Sequence, residues 1–219
     1  VEAHDLLADA YIGKGDTVLA QEAMQAAAEV SPKSVMRQRR LAELAKLNQD
    51  TQACLEASRR VIKTARNSVY ESPDDYFNLA RELTELSKDG EANTDKYVKE
   101  TFEVLQRLEK RPYFDASADV QSNSLKSRSM LNNKKPEEAE GFLDKAKKVY
   151  QNKKDELKPE VGLDFAQALI AKGDKTAADE VLGELVEKFP EHQALVDKAD
   201  AMSDTPKSKA GRKKVADMT

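Results

Sequence analysis

A chain of 219 residues, 39% apolar and 35% charged, is long enough to bury a sizeable core, and its net charge of −4 and pI near 5.5 suit one large domain or a string of small units. One cysteine excludes an internal disulfide framework and fits a reducing, cytoplasmic compartment, the alternative being a Cys-poor periplasmic protein. No apolar run approaches the roughly 18 residues of a membrane-crossing helix, and no signal-peptide pattern is present. Trp is absent and aromatics reach only 5%, while Ala, Leu, Glu, Lys and Gln abound, so strand formers are scarce and the class reads as all-α.

In chain order, the first element pair covers residues 1–34. It begins at Val1 already inside a helical pattern, which reads as an excerpt from something longer; it turns at Gly15-Asp16 and stops at Pro32. Residues 35–72 form a second pair, with Leu41, Ala42 and Ala45 on its first helix, Asp50 at the turn, Cys54 where a small residue is wanted, and Val61. A third, 73–119, carries Tyr76, Leu79, Ala80 and Leu83, an overlong turn "SKDGEANTD", then Tyr97, Phe102, Leu105 and Leu108 at helical spacing. The fourth, 120–158, has a degenerate first helix, "VQSNSLKSRSML", and a clean second one marked by Pro136, Ala139, Leu143 and Ala146. The fifth spans 159–192; a further helix over 193–202 packs onto it, and 203–219 is a polar, basic tail.

The ends of this array repeat one another. "GDTVLAQEAMQAAAEVSP" (Gly15 to Pro32) is answered by "GDKTAADEVLGELVEKFP" (Gly173 to Pro190), and the match extends back to His4 over Gly162. Leu7, Tyr11 and Met24 then align with Phe165, Leu169 and Leu182, and the small Ala8 and Ala20 with Ala166 and Ala178. Antiparallel helices approach closely only where facing residues are small, with large neighbours filling the gaps around the contact. Gly tolerates the left-handed helix end, Asp caps the next start, and Pro ends the second helix.

This pattern resembles the tetratricopeptide repeat (TPR), a family of helix-turn-helix units of about 34 residues. The resemblance implies an α-solenoid of about five units, a right-handed superhelix with an extra C-terminal helix, whose concave groove is lined mainly by first helices and holds a protein or peptide ligand. Residue by residue it places Asp5 and Asp9 in the groove from the first unit, Arg39 and Glu43 from the second, Phe77 and Arg81 from the third, and Arg128 from the fourth. Asp5 and Asp9 stand where carboxylate-clamping TPR domains have Lys and Asn, so that mode is disfavoured. Arg39, Arg81 and Arg128 are candidates to pair with acidic side chains of a partner, with Phe77 as an apolar contact; the alternative is that they are ordinary surface arginines.

Catalytic chemistry finds little support. The two histidines, His4 and His192, are far apart in sequence, His4 and Cys54 occupy packing positions, and no Cys/His cluster or GxxxxGK loop offers a metal or phosphate site. The expectation is no enzyme, no cofactor and no metal. "RQRR" (Arg37 to Arg40) and "KSKAGRKK" (Lys207 to Lys214) raise a nucleic-acid-binding alternative, against which stand the negative net charge and the lack of stacking aromatics. A second resemblance, of Ser31 to Asp50 to the TPR portion of bacterial response regulators with an N-terminal receiver domain, implies a signalling output module preceded by such a domain. A scaffold for a cell-envelope or secretion complex is the rival reading.

Overall fold

Residues 2–89 and 93–203 are described in a computed structural model of the chain, and among them all regular structure is helical. The α-helices are α1 (Glu2–Gly13), α2 (Thr17–Val30), α3 (Val35–Leu47), α4 (Thr51–Ala65), α5 (Pro73–Leu86), α6 (Thr94–Glu109), α7 (Ala116–Asn132), α8 (Pro136–Lys153), α9 (Pro159–Lys172), α10 (Lys175–Lys188) and α11 (Gln193–Met202), with a 3-10 turn at Ser87–Asp89. The basic tail from Lys207 to Lys214 lies outside the described residues.

Four of the helix-to-helix turns share one geometry. A left-handed residue closes each first helix: Gly15 (φ 77), Gln49 (φ 59), Lys134 (φ 56) and Gly173 (φ 93). Its N–H bonds three residues back, and the next N–H bonds five residues back, as from Asp16 to Tyr11 O and from Asp174 to Leu169 O, both at 2.9 Å. This double bond satisfies the carbonyls left open at a helix end. Asp16, Asp50 and Asp174 then accept from the backbone N–H three residues on, at 3.0–3.1 Å, capping α2, α4 and α10. Gly-Asp advertises the turn at two places, whereas Gln49 and Lys134 adopt the same conformation without the residue that makes it cheap.

The helices fall into two compact units, the first ending at Glu82 and the second beginning at Leu83, so that the boundary lies within α5. In the first unit, α1 packs on α2, α2 on α3, and α3 on α4. Its core is largely alanine, Ala8, Ala20, Ala23, Ala27, Ala28 and Ala57, with Met24, Leu41 and Leu44 between. Small side chains bring the helix axes close while these larger ones close the gaps. Leu7 departs from the core role expected of it: it is 43% exposed, whereas its counterparts one and several repeats on, Leu41 and Phe165, are buried.

In the second unit α7 packs on α6, α8 and α9, and α10 and α11 complete the stack on α9. The core runs from Val120 and Leu143 through Phe165, Leu169 and Leu182 to Leu195 and Ala199, with Tyr150 and Phe165 rings 4.8 Å apart. Gly162 permits the close passage of α9 and α10: a Cβ there would lie 2.6 Å from the Leu185 side chain.

The stretch that reads as degenerate in sequence is the most enclosed helix of this unit. Along α7, Ser117, Gln121, Ser122, Asn123, Ser124, Lys126, Ser127, Arg128 and Ser129 are all buried. The hydroxyls find partners close by: Ser127 donates to Ala139 O at 2.9 Å and Ser124 to Val120 O at 2.7 Å, while Ser129 and Thr84 share a bond of 3.0 Å. Gln121 donates to Asp164 at 2.9 Å. Lys126 pairs with Glu109 and lies 5.8 and 5.7 Å from the Phe102 and Phe142 ring centroids. Serines here do the work of alanines elsewhere, being small enough for close helix contact and satisfied by local bonds.

Candidate functional site

Four first helices carry the charged residues that the sequence placed in a groove: α1, α3 and α5, and α7 with Arg128. In the first unit these charges pair with one another. Arg37 forks onto Asp5, with Nε to Oδ1 at 3.0 Å and Nη2 to Oδ2 at 2.7 Å. Arg40 pairs with Asp9. One helix further, Arg39 forks onto Asp75, with Nε to Oδ1 at 2.8 Å and Nη2 to Oδ2 at 2.7 Å, and also donates to Tyr70 O. Lys46 reaches Glu82. Each partner hydrogen bond favours the charged form: the Arg37 guanidinium holds the Asp5 carboxyl below its ordinary value, and Asp75 raises Arg39 above its own.

Two of the expected contact residues are enclosed. Phe77 is only 2% exposed and its ring stacks under Arg81, whose guanidinium carbon is 5.9 Å from the centroid. It is a core residue, so the expectation of an apolar contact for a ligand is corrected. Arg128 is 5% exposed, donates to Gln167 at 2.7 Å and pairs with Glu85, so it holds α7 in place and is no open anion receptor. Arg39 is committed to Asp75 in the same way. Asp75 itself, in the first turn of α5, is buried.

Two pockets flank α3. One, of about 280 Å³, is lined by Arg39, Ala42, Glu43, Lys46, Cys54, Ser58, Val61, Asp75, Asn78 and Glu82. The other, of about 440 Å³, is lined by Asp5, Ser34, Met36, Arg37, Arg39, Arg40 and Glu43. Arg39 and Glu43 belong to both, so the two make one pocketed face. Cys54 is buried, and that burial pushes its thiol above the ordinary value, which keeps it protonated and poorly nucleophilic near neutral pH. Among the described residues no group of three His, Cys, Asp or Glu side chains is placed to hold a metal ion, and no helix is long and apolar enough to cross a membrane.

Sequence reasoning reached Asp5, Asp9, Arg39 and Glu43 but missed Asp75, Asn78 and Glu82. A signal for them exists: opposite charges 32 and 36 residues apart, Asp5 with Arg37 and Arg39 with Asp75, lie about one repeat from each other.

Residues 160–192 match the tetratricopeptide repeat family model. The chain is also similar, over most of its length, to solved structures of the same kind. A thermophilic TPR protein of Thermus thermophilus is 15% identical, covering 92% of this chain and 97% of its own, with a TM-score of 0.58. The chain has the tetratricopeptide-repeat fold. MamA of Desulfovibrio magneticus RS-1 is similar at 11% identity over 87% of this chain and 96% of its own, TM-score 0.52. PilW, a widely conserved type IV pilus biogenesis factor, is similar at 14% identity over 98% and 97%, TM-score 0.51. No curated protein sequence matches the chain. In this TPR fold the pocketed face is lined by the first helices α1, α3 and α5 together with α4, and ion pairs link α1 to α3 and α3 to α5.

Proposed function

We propose that the chain is a non-catalytic protein-interaction module, an array of five TPR units near 1–34, 35–72, 73–119, 120–158 and 159–192, which receives a partner protein on the face formed by α1, α3 and α5. The observation that supports this most is the pair of pockets sharing Arg39 and Glu43, fixed in shape by the bidentate Arg37–Asp5 and Arg39–Asp75 pairs. A preorganised face binds without the cost of ordering its side chains. The smaller pocket, at about 280 Å³, is below the usual range for a drug-sized ligand and suits a single side chain of a partner.

Two cellular settings fit this role. The likeness of Ser31 to Asp50 to bacterial response-regulator repeats supports a signalling output module under the control of a receiver domain. The structural likeness to PilW supports a scaffold in an assembly complex. Nucleic-acid binding is disfavoured on the described residues, because Arg37, Arg39 and Arg40 of the "RQRR" cluster are each neutralised by an aspartate of this chain.

Site-specific photo-crosslinking tests the interaction face. A photoreactive residue at Met36, which is well exposed in the larger pocket, should cross-link a discrete protein from an extract of cells that express the chain; the same residue at Lys147 on α8 should not. Equal cross-linking from both positions, or none from Met36, overturns the reading.

A further inference from the structure

The pockets on either side of α3 are lined by four cations, Arg37, Arg39, Arg40 and Lys46, and four carboxylates, Asp5, Glu43, Asp75 and Glu82. Every cation is matched: Arg37 by Asp5, Arg39 by Asp75, Arg40 by Asp9 on the neighbouring helix, and Lys46 by Glu82. Glu43 alone among these eight has no hydrogen-bond or ion-pair partner among the described residues, and it is exposed where the two pockets meet. An anionic ligand would have to break a forked arginine–aspartate pair and leave a carboxylate uncompensated. A cationic ligand need break nothing.

We propose that this face takes an extended protein segment bearing a lysine or arginine, whose cation pairs with Glu43 while its stem lies against Met36 and Ala42. The proposal rests on the interaction reading above and deepens it by assigning the chemistry of the partner. Charge complementarity selects the residue: the lining cations are each paired to another carboxylate, and Glu43, which feels Arg39 only through space, leaves the face with an excess of negative charge between two cavities. Aliphatic surface is at hand for the stem, since Met36 is 61% exposed on the rim of the larger pocket and Ala42 lines the smaller. The same arrangement reverses the expectation that the arginines here recruit an acidic segment.

Fluorescence anisotropy on the whole chain tests this with two labelled decapeptides of alanine and serine, one with lysine and one with glutamate at every third position. The lysine peptide should bind and the glutamate peptide should not. Glu43→Gln, which keeps size and sits on an exposed helix position, should weaken the lysine peptide by at least about threefold, the scale of one exposed ion pair; Glu180→Gln on α10 should leave it unchanged. Unaltered binding to Glu43→Gln, tighter binding of the glutamate peptide, or tighter binding of a single-stranded oligonucleotide overturns the proposal. Should neither peptide bind while Met36 still cross-links a protein partner, the basic-segment assignment falls and the interaction reading stands.

Discussion

At the scale of single residues, the clearest liability is Gln38. It is fully buried in α3, and neither atom of its amide finds a hydrogen-bond partner. An unsatisfied buried polar group costs about 1–3 kcal/mol. Gln38→Met keeps the length and approximate volume of the side chain while removing that penalty, so it should stabilise the protein by about 1 kcal/mol or more, read as a shift in the urea midpoint at constant slope. A midpoint that falls would mean the amide is satisfied in solution. Gln38 stands at the repeat position of His4, Tyr76 and Gly162, residues of unrelated chemistry, which explains why no sequence pattern flags it. The nearby arginines are a different case. Arg37, Arg39 and Arg40 form one run in sequence and look interchangeable, yet each meets an aspartate on a neighbouring helix. Their partners could be guessed only from opposite charges about one repeat apart.

At the scale of helices, the same repeat position carries different energies depending on what lies across from it. Leu7 and Leu41 are equivalent on α1 and α3, but Leu41 joins the alanine-rich core while Leu7 is 43% exposed. Leu41→Ala should therefore cost about 2–5 kcal/mol and Leu7→Ala under about half of that, measured by chemical denaturation. Comparable losses would show that the face of α1 bearing Leu7 is covered in solution. Helix α7 makes the complementary point. Its hydrophobic periodicity is weak because serine, asparagine, glutamine, lysine and arginine fill buried positions, and periodicity is the primary signal by which helices are read. The helix is nonetheless unbroken from Ala116 to Asn132, since its buried polar groups are bonded locally or across to a neighbour, as Ser127 is to Ala139 O and Gln121 to Asp164. Its turn was equally hard to see, because Lys134 takes the left-handed place that Gly15 and Gly173 hold elsewhere.

For the molecule as a whole, carboxylates set the response to acid. Asp5 is lowered by Arg37, and Glu140 by Lys172; Glu85 is opposed by burial but lowered overall by Lys88 and Arg128. A carboxylate with a lowered folded-state pKa contributes stability that is present above its unfolded value and lost as pH falls through the folded one. Asp119 runs the other way: burial and the neighbouring Glu109 raise it, so its contribution is present below its unfolded value and fades as pH rises through the folded one. Three groups against one predict that stability declines as pH drops below about 4.5, the ordinary value for Glu85 and Glu140. Asp119→Asn should raise the urea midpoint at pH 7 and leave it nearly unchanged at pH 3. A midpoint that rises on acidification, or an Asp119→Asn variant weaker at pH 7, would contradict this balance.

What the amino-acid sequence determined alone is the all-α class, the paired-helix unit and its repetition. Small residues at Ala8, Ala20, Ala166 and Ala178, Gly-Asp turns and terminal prolines act within a single helix pair, and local rules suffice to read them. What only the tertiary structure decided is the fate of the charges and of Phe77 and Arg128. Whether a side chain faces solvent, a neighbour or a ligand depends on the helix packed beside it, and that helix is about one repeat away along the chain. Glu43 illustrates the difference: it is one glutamate among many until the cations around it are seen to pair with other carboxylates.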